Sequence, residues 1–254
     1  MSNSTSKKAV PSTVSKLKVL SNKQKNKFVD LTNGLVRLMY YESVLQDTVR
    51  SEVVFADTGN SVDNKSVLEG LPLVGTEDVE LEFTDNNDTT LKINLNVNKV
   101  TQVNEESTAS MIKLDLVSEE FLRNESGSAR LNVRFDGKIS DHIRRILTDF
   151  LKTEKEMDIE ETNNNYNFIG NNRKPYYTLN WLSKASIPTV AGEKGKTGGF
   201  FFFETSKGFN FKSIDGLFKQ KQKKSLIYNL TKDLPAGYDT KVLDFQGDNP
   251  IPAQ

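Results

Sequence analysis

Strict alternation of apolar and polar residues in two neighbouring segments is the feature that most constrains how this chain folds. In residues 79–83, valine, leucine and phenylalanine alternate with glutamate, and in residues 91–98 leucine, isoleucine and valine alternate with lysine and asparagine. A period of two is typical of β-strands that bury one face. The short polar stretch Asn86-Asn87-Asp88 between them predicts an antiparallel hairpin.

Other segments of the first half have the same character. The stretches LTNGLVRLMYYESVL, DTVRSEVVFADTG and ASMIKLDLVS are rich in β-branched and aromatic residues. Residues 31 to about 118 are therefore predicted to form antiparallel strands, each with one solvated face, which close as a barrel or pack as a sandwich.

Helical spacing appears only in the second half. Ser140 to about Lys152 is predicted to be a helix with Ser140 as its N-cap, and Pro175 is predicted to open a second helix that ends near residue 186. After it, the sequence predicts two strands around a turn at residues 206–208. The apolar residues that lie on one face of the first helix are Ile139, Ile143, Ile146, Leu147, Phe150 and Leu151.

These patterns predict a mostly β fold with some α, an α+β class with two antiparallel β-barrel or sandwich domains and a few short helices. We expect residues 1–30 to be a basic, flexible arm, because they hold seven lysines and no acid before Asp30. Residues 31–130 would form the first β-domain. Residues 131–254 would form the second, with helices near 140–152 and 175–186.

Composition excludes several classes of protein. The 34 basic and 34 acidic residues cancel, which argues against a surface that binds nucleic acid throughout. The chain has no cysteine, so disulfides, thiol nucleophiles and cysteine-ligated metals are excluded, as expected for a protein made in a reducing cytoplasm. No apolar run reaches the roughly 18 to 20 residues of a membrane helix, and the N-terminus lacks the apolar core of a signal peptide.

Two segments resemble ligand-binding loops without meeting their requirements. Residues 191–197 (AGEKGKT) resemble a phosphate-binding loop, but Val190 stands where its first glycine is needed. A flexible basic loop is the simpler interpretation. Residues 85–88 resemble the start of a calcium loop, but Thr90 and Asn96 stand where glycine and glutamate are needed, so a hairpin turn is favoured.

Catalytic candidates are sparse. His142 is the only histidine, and it is interpreted as a residue at the boundary of the first helix and not as part of a catalytic triad or zinc site. The carboxylates between Glu154 and Glu161 could supply an acid–base pair. Since the run alternates with Lys155 and is bracketed by asparagines, a solvated face or edge strand is favoured. The sequence therefore predicts no enzymatic activity, no catalytic residue, no metal and no cofactor.

Four consecutive phenylalanines are the candidates for an interface. A strand that carries Phe200, Phe201, Phe202 and Phe203 presents apolar rings on both faces, so both faces must be covered. The cover is either the protein's own core or another subunit. A cluster of lysines follows, interpreted as a solvated loop or as a contact with an acidic subunit or passing DNA: Lys219, Lys221, Lys223 and Lys224.

The order of several segments resembles a known family. The helix PYYTLNWLSKA (175–185), a glycine-rich loop, then GFFFFE (199–204), KGFNF (207–211) and SIDGL (213–217) follow one another as in the baseplate hub proteins of contractile phage tails. These include the hub of the T4-like phages and, more distantly, the hub part of type VI secretion spikes. The segments YYESVLQDTVRSEVVFADTGN, LEGLPLVGTEDVELEF, FDGKISDHI and NNYNFIGNNRKP resemble the cyanophage version. The resemblance runs from about residue 31 to 230.

The resemblance implies a role and its partners. Hubs of this family carry two tube-like β-barrel domains per chain, and three chains form a ring that joins a trimeric central spike to a hexameric tail tube and lines the DNA channel. The resemblance implies a homotrimer whose partners are the tail tube, central spike and wedge proteins. DNA would contact it only while passing through the channel, and no membrane would be involved. The protein would be assembled in the host cytoplasm and reside in the tail baseplate of the virion. The alternatives are a tube, terminator or wedge subunit, a carboxylate-based cell-wall hydrolase, or an unrelated binding module.

Overall fold

The fold is described from a computed structural model that covers residues 12–24, 26–84, 89–105, 109–189 and 199–221, with the backbone of 226–228 and 240–242. Residues Ala9–Leu217 form one compact unit. A second unit joins Met1–Lys8 to Phe218–Gln254, and within it two short strands, β13 (Leu226–Tyr228) and β14 (Thr240–Val242), pair in parallel.

The larger unit begins with strands and continues with strands and short helices. Its strands are β1 (Thr13–Leu20), β2 (Phe28–Asp30), β3 (Leu35–Tyr41), β4 (Arg50–Asp57), β5 (Asp78–Thr84), β6 (Thr90–Glu105), β7 (Ser110–Val117), β8 (Arg134–Phe135), β9 (Glu156–Ile159), β10 (Phe168–Ile169), β11 (Phe200–Thr205) and β12 (Gly208–Ser213). Its helices are α1 (Val67–Gly70), α2 (Glu119–Glu125), α3 (Ile139–Arg145), α4 (Pro175–Ala185) and α5 (Ile214–Phe218), the last of which ends at the boundary between the units. A 3₁₀ turn spans Gly127–Ala129 and a π-helical turn spans Ile146–Phe150.

Strands β1 to β7 form one antiparallel sheet in the order β2-β1-β5-β6-β7-β4-β3. The sheet curls as a half-barrel around a core of aliphatic side chains and Phe55. Alternation accounts for this core, since Val53 and Phe55 of β4 are fully buried while Glu52 next to Val53 is only partly buried. The predicted hairpin is present as β5 and β6, paired from Thr84 opposite Thr90, and its turn at 85–88 lies outside the described residues.

The expected flexible arm is corrected by the structure. Residues 13–20 form β1, which is hydrogen-bonded to both β2 and β5 inside the sheet. Leu17 and Val19 are fully buried, while Lys16 and Lys18 beside them are not buried. Leu17 and Val19 alternate with lysines, so the segment has a short period-two pattern. The abundance of lysine favoured the prediction of an arm, and the pairing with β5 shows that the segment is a strand. Residues 1–11 lie outside the described part of the chain.

The second core lies between short helices and a three-stranded sheet. Residues of α3, α4, β11 and β12 bury one another here, together with Leu131 and Phe135. The sheet has the order β11-β12-β9, and β9 runs parallel to β12. The mostly β, α+β class is confirmed, although this half builds its core from a mixed sheet and helices where a second antiparallel barrel was expected.

The two predicted helices correspond to α3 with its π turn and to α4. The N-cap differs from the prediction, because α3 begins at Ile139 and Lys138 occupies the cap position. Ser140 is buried inside the first turn, where its N–H donates to Oγ1 of Thr162 at 3.0 Å. The Thr162 hydroxyl therefore accepts the hydrogen bond from a backbone amide in the first turn of α3, where a side chain at the N-cap would otherwise be the acceptor.

Candidate functional site

The phenylalanine run lies in the second core. Phe200 stacks on Phe211 with ring centroids 4.7 Å apart, and Phe202 stacks on Phe209 at 5.7 Å. Phe203, on the opposite face of β11, is also buried, and Phe201 is only partly buried. The chain therefore covers most of the run itself, and Phe201 is the member with surface left for a partner.

A buried charge follows the phenylalanines directly. Glu204 in β11 is 1% exposed. Its Oε2 accepts a hydrogen bond from the backbone N–H of Val49 at 2.9 Å, and its Oε1 accepts one from Nζ of Lys155 at 2.7 Å. Val49 belongs to the core of the seven-stranded sheet. Glu204 thus lies where the two cores meet.

Lys155 joins this carboxylate to a second one. Its Nζ lies 2.6 Å from Oε2 of Glu120 in α2, whose side chain is 4% exposed. The other oxygen of Glu120 accepts a hydrogen bond from the hydroxyl of Thr153 at 2.6 Å. We call Glu120, Lys155 and Glu204 the junction triad. It holds two carboxylates against one ammonium, so its formal charge is negative.

Burial of the two carboxylates shifts the proton equilibria of the junction triad. Burial raises the pKa of the Glu204 carboxyl above its usual range, against the opposing effect of Lys155. Burial acts to lower the pKa of the Lys155 ammonium, but the charges of Glu204 and Glu120 outweigh it and the pKa is raised overall. The Tyr176 hydroxyl is buried near Ser118 without a hydrogen bond of ordinary geometry, and burial raises the pKa of this phenol.

Two exposed contacts accompany the junction triad. Asn180 of α4 donates from Nδ2 to Asp47 at 3.2 Å. The backbone N–H of Ser206 donates to Oε1 of Glu42 at 2.6 Å. The segment between β3 and β4 therefore approaches the second core at several points, and of these three contacts only the one at Glu204 is buried.

Sequence reasoning did not identify the junction triad. Lys155 lies 35 residues after Glu120 and 49 residues before Glu204, and no motif connects the three. One local signal was available, because a carboxylate directly after four phenylalanines stands in a strand that must be buried.

The structure corrects the prediction that His142 is a boundary residue. Its ring is 3% exposed and lies edge-on to Phe135 and Phe168. Its Nε2 lies 2.9 Å from the carbonyl oxygen of Tyr166, so this nitrogen carries the proton when the ring is neutral. Burial lowers the pKa of His142 below its usual value.

The carboxylates of 154–161 are spread along an edge strand and its neighbours. Asp158 accepts from Lys212 at 2.5 Å, and Glu160 accepts from both the N–H and the hydroxyl of Ser213, at 2.8 and 2.7 Å. Glu161 accepts from Arg144 and Ser140. The described residues contain no group of three acidic or histidine side chains suited to hold a metal ion.

Other sequence candidates are only partly described. The loop that resembles a phosphate-binding loop, 191–197, lies outside the described residues, as do Lys223 and Lys224. Lys219 and Lys221 are exposed. Among the described helices, none has the length and apolar character required to cross a membrane.

Within the described residues, the curled sheet ends at two edge strands, β2 and β3, which pair with no further strand. Phe28 on β2 is 51% exposed, and Val36 on β3 is 56% exposed. Leu45, in the loop that follows β3, is 78% exposed. Open edges with exposed apolar side chains are where a sheet can pair with another chain.

Comparison with known proteins shows a shared fold. No protein-family model and no curated protein matches the chain. The 43 kDa tail protein of prophage MuSo2 from Shewanella oneidensis superposes with a TM-score of 0.51 at 11% identity, covering 77% of this chain and 52% of that one. The chain thus spans about half the length of this structure.

Two further solved structures align less closely. A Francisella PdpA–VgrG complex gives a TM-score of 0.48 at 10% identity, over 85% of this chain and 34% of that one. A tail protein from Neisseria meningitidis MC58 gives 0.45 at 8% identity, over 80% and 50%. No conclusion rests on these two.

Proposed function

We propose that this chain is a structural, non-enzymatic subunit of a contractile phage tail baseplate, and specifically its hub. In this role it forms a homotrimeric ring that joins the central spike to the tail tube, contacts wedge proteins and lines the channel through which DNA passes. It is assembled in the host cytoplasm and resides in the virion. The observation that carries the proposal is a curled seven-stranded sheet, followed by a second core, in a fold shared over 77% of the chain with a prophage tail protein.

The surface of the described residues supports an assembled state. The open edges at β2 and β3 and the partly exposed ring of Phe201 are apolar surface that self-association would bury. Burial of apolar surface stabilises an interface by about 25 cal/mol per Å² before the cost of association.

The mass of the purified chain in solution tests the hub directly. Light scattering over a range of concentrations should show a trimer, or a monomer that converts to a trimer as concentration rises. A stable hexamer would instead indicate a tube or terminator ring. A chain that stays monomeric in the presence of its tail's spike and tube proteins would contradict the hub.

Paired substitutions locate the interface. Phe201→Ala removes the partly exposed ring and should weaken the trimer without loss of the fold, whereas Val74→Ala, at a residue that is 62% exposed in the loop between α1 and β5, should leave the trimer intact. If both variants associate like the wild type, the Phe201 face is not the interface.

A further inference from the structure

We propose that the junction triad is an ionic latch that makes the two hydrophobic cores behave as one cooperative unit, and that its opening lets the cores separate while each stays folded. This device does not depend on a role in a phage tail. It rests on the position of three side chains between two cores that are otherwise distinct.

The geometry places the latch among the buried contacts of the junction, which also include the 2.8 Å hydrogen bond between the hydroxyls of Thr48 and Ser118. Lys155 reaches Glu120 at 2.6 Å and Glu204 at 2.7 Å, and Glu204 extends further, to the amide of Val49. The neighbouring contacts of Glu42 and Asp47 are exposed to solvent, where they contribute little. The orientation of one core relative to the other therefore depends on whether Lys155 keeps Glu204 in place.

The latch depends on the positive charge of Lys155. Lys155 is the single cation that the described residues place between two carboxylates almost completely shielded from water. Removing its charge leaves two like charges buried together, which is strongly unfavourable. The groups that face the triad are the phenols of Tyr40 in β3 and Tyr176 in α4, and Asp47 adds a negative charge near Tyr176.

The direction of the pH response follows from this arrangement. The pKa of Lys155 is raised, so its stabilising charge is present below its unfolded value and is lost as pH rises through the folded value. The pKa of Glu204 is also raised, so its charge becomes unfavourable as pH rises. The charge of Lys155 therefore holds the latch closed at neutral pH, and the latch opens in alkali when this charge is lost.

Two probes can follow the cores separately. Trp181 is the only tryptophan and packs against the second core, so its fluorescence reports that core. Hydrogen exchange of the backbone amides of β5 and β6, measured at increasing denaturant, reports the seven-stranded sheet. In the wild-type chain at neutral pH the two probes should give coincident unfolding transitions.

Lys155→Met is the decisive variant. We expect its two transitions to separate, with the midpoints shifted apart beyond experimental error. Lys207→Met is the matched control, since Lys207 is exposed in the turn three residues after Glu204, and its transitions should stay coincident. Coincident transitions in Lys155→Met would overturn the proposal.

A charge-free variant separates charge from packing. The triple change Lys155→Met, Glu120→Gln, Glu204→Gln keeps the side-chain shapes, and the amide oxygen that Glu204→Gln introduces can still accept from the N–H of Val49. Because it lacks every charge of the latch, we expect this variant to fold with separate transitions at neutral pH, and to keep that separation unchanged in alkali. It also carries the test if Lys155→Met does not fold. A triple variant that is unfolded, or whose transitions coincide like those of the wild type, would overturn the proposal.

Discussion

The backbone N–H of Val49 donates a 2.9 Å hydrogen bond to Oε2 of Glu204, a residue 155 positions further along the chain. Val49 is fully buried and Glu204 is 1% exposed, so neither group can exchange this bond for one with water. A buried N–H without an acceptor is costly. The contact therefore ties the residue before β4 to strand β11, at the point where the two cores meet.

Replacing Glu204 should show how much this contact contributes to the free energy of unfolding. Glu204→Ala removes the acceptor of the Val49 amide and one partner of Lys155, and we expect it to lower the free energy of unfolding by about 2–4 kcal/mol. Glu204→Gln keeps an acceptor oxygen and should cost less than half as much. Chemical denaturation at pH 7 measures both, and equal losses would contradict the role of the hydrogen bond.

His142 should make the protein sensitive to acid. Because burial lowers its pKa, the folded protein binds fewer protons than the unfolded chain once the pH falls below the usual value of 6.5. The free energy of unfolding should therefore fall as pH is lowered through 6.5 towards the folded pKa. His142→Gln, which stays neutral and can still donate to the Tyr166 carbonyl, should lose this component of the slope. As the chain has no other histidine, an unchanged slope in the variant would refute the assignment.

The phenylalanines on the two faces of β11 should contribute differently to the stability of the protein. Phe202→Ala leaves a cavity beside Phe209 and should destabilise the protein by about 3–5 kcal/mol. Phe201→Ala, at a partly buried position, should cost clearly less. Thermal unfolding of the two variants distinguishes them, and a larger loss for Phe201 would show that this ring carries more of the core than its exposure indicates.

Gly208 is required by a close backbone approach. Its φ is +139°, and a Cβ atom at this position would lie 2.1 Å from the carbonyl oxygen of Glu156, where β9 pairs with β12. We expect Gly208→Ala to destabilise the protein by about 2 kcal/mol or more. Gly127→Ala is the control, since nothing lies within 4 Å of its Cβ, and its effect should stay within about 0.5 kcal/mol. Similar unfolding midpoints for the two variants would show that β9 can move away.

Local side-chain patterns were sufficient to predict the individual strands and helices. Alternation at 79–83 and 91–98 indicated the strands β5 and β6 and their pairing as a hairpin, and helical spacing after residue 138 and after Pro175 located α3 and α4. These patterns follow from side-chain periodicity within one segment, so they need no knowledge of the rest of the chain. The resemblance in segment order anticipated a fold shared with a tail protein.

Contacts between distant groups, in contrast, became evident only in the folded chain. The tertiary structure placed β1, expected to be part of a basic arm, inside the sheet, and it buried His142 among aromatic rings. It also brought Glu120, Lys155 and Glu204 together from three separate parts of the chain. Any local pattern predicts that a charged residue is exposed, because burial becomes tolerable only when a partner from elsewhere compensates the lost hydration. That compensation is a property of the folded chain and of no single segment.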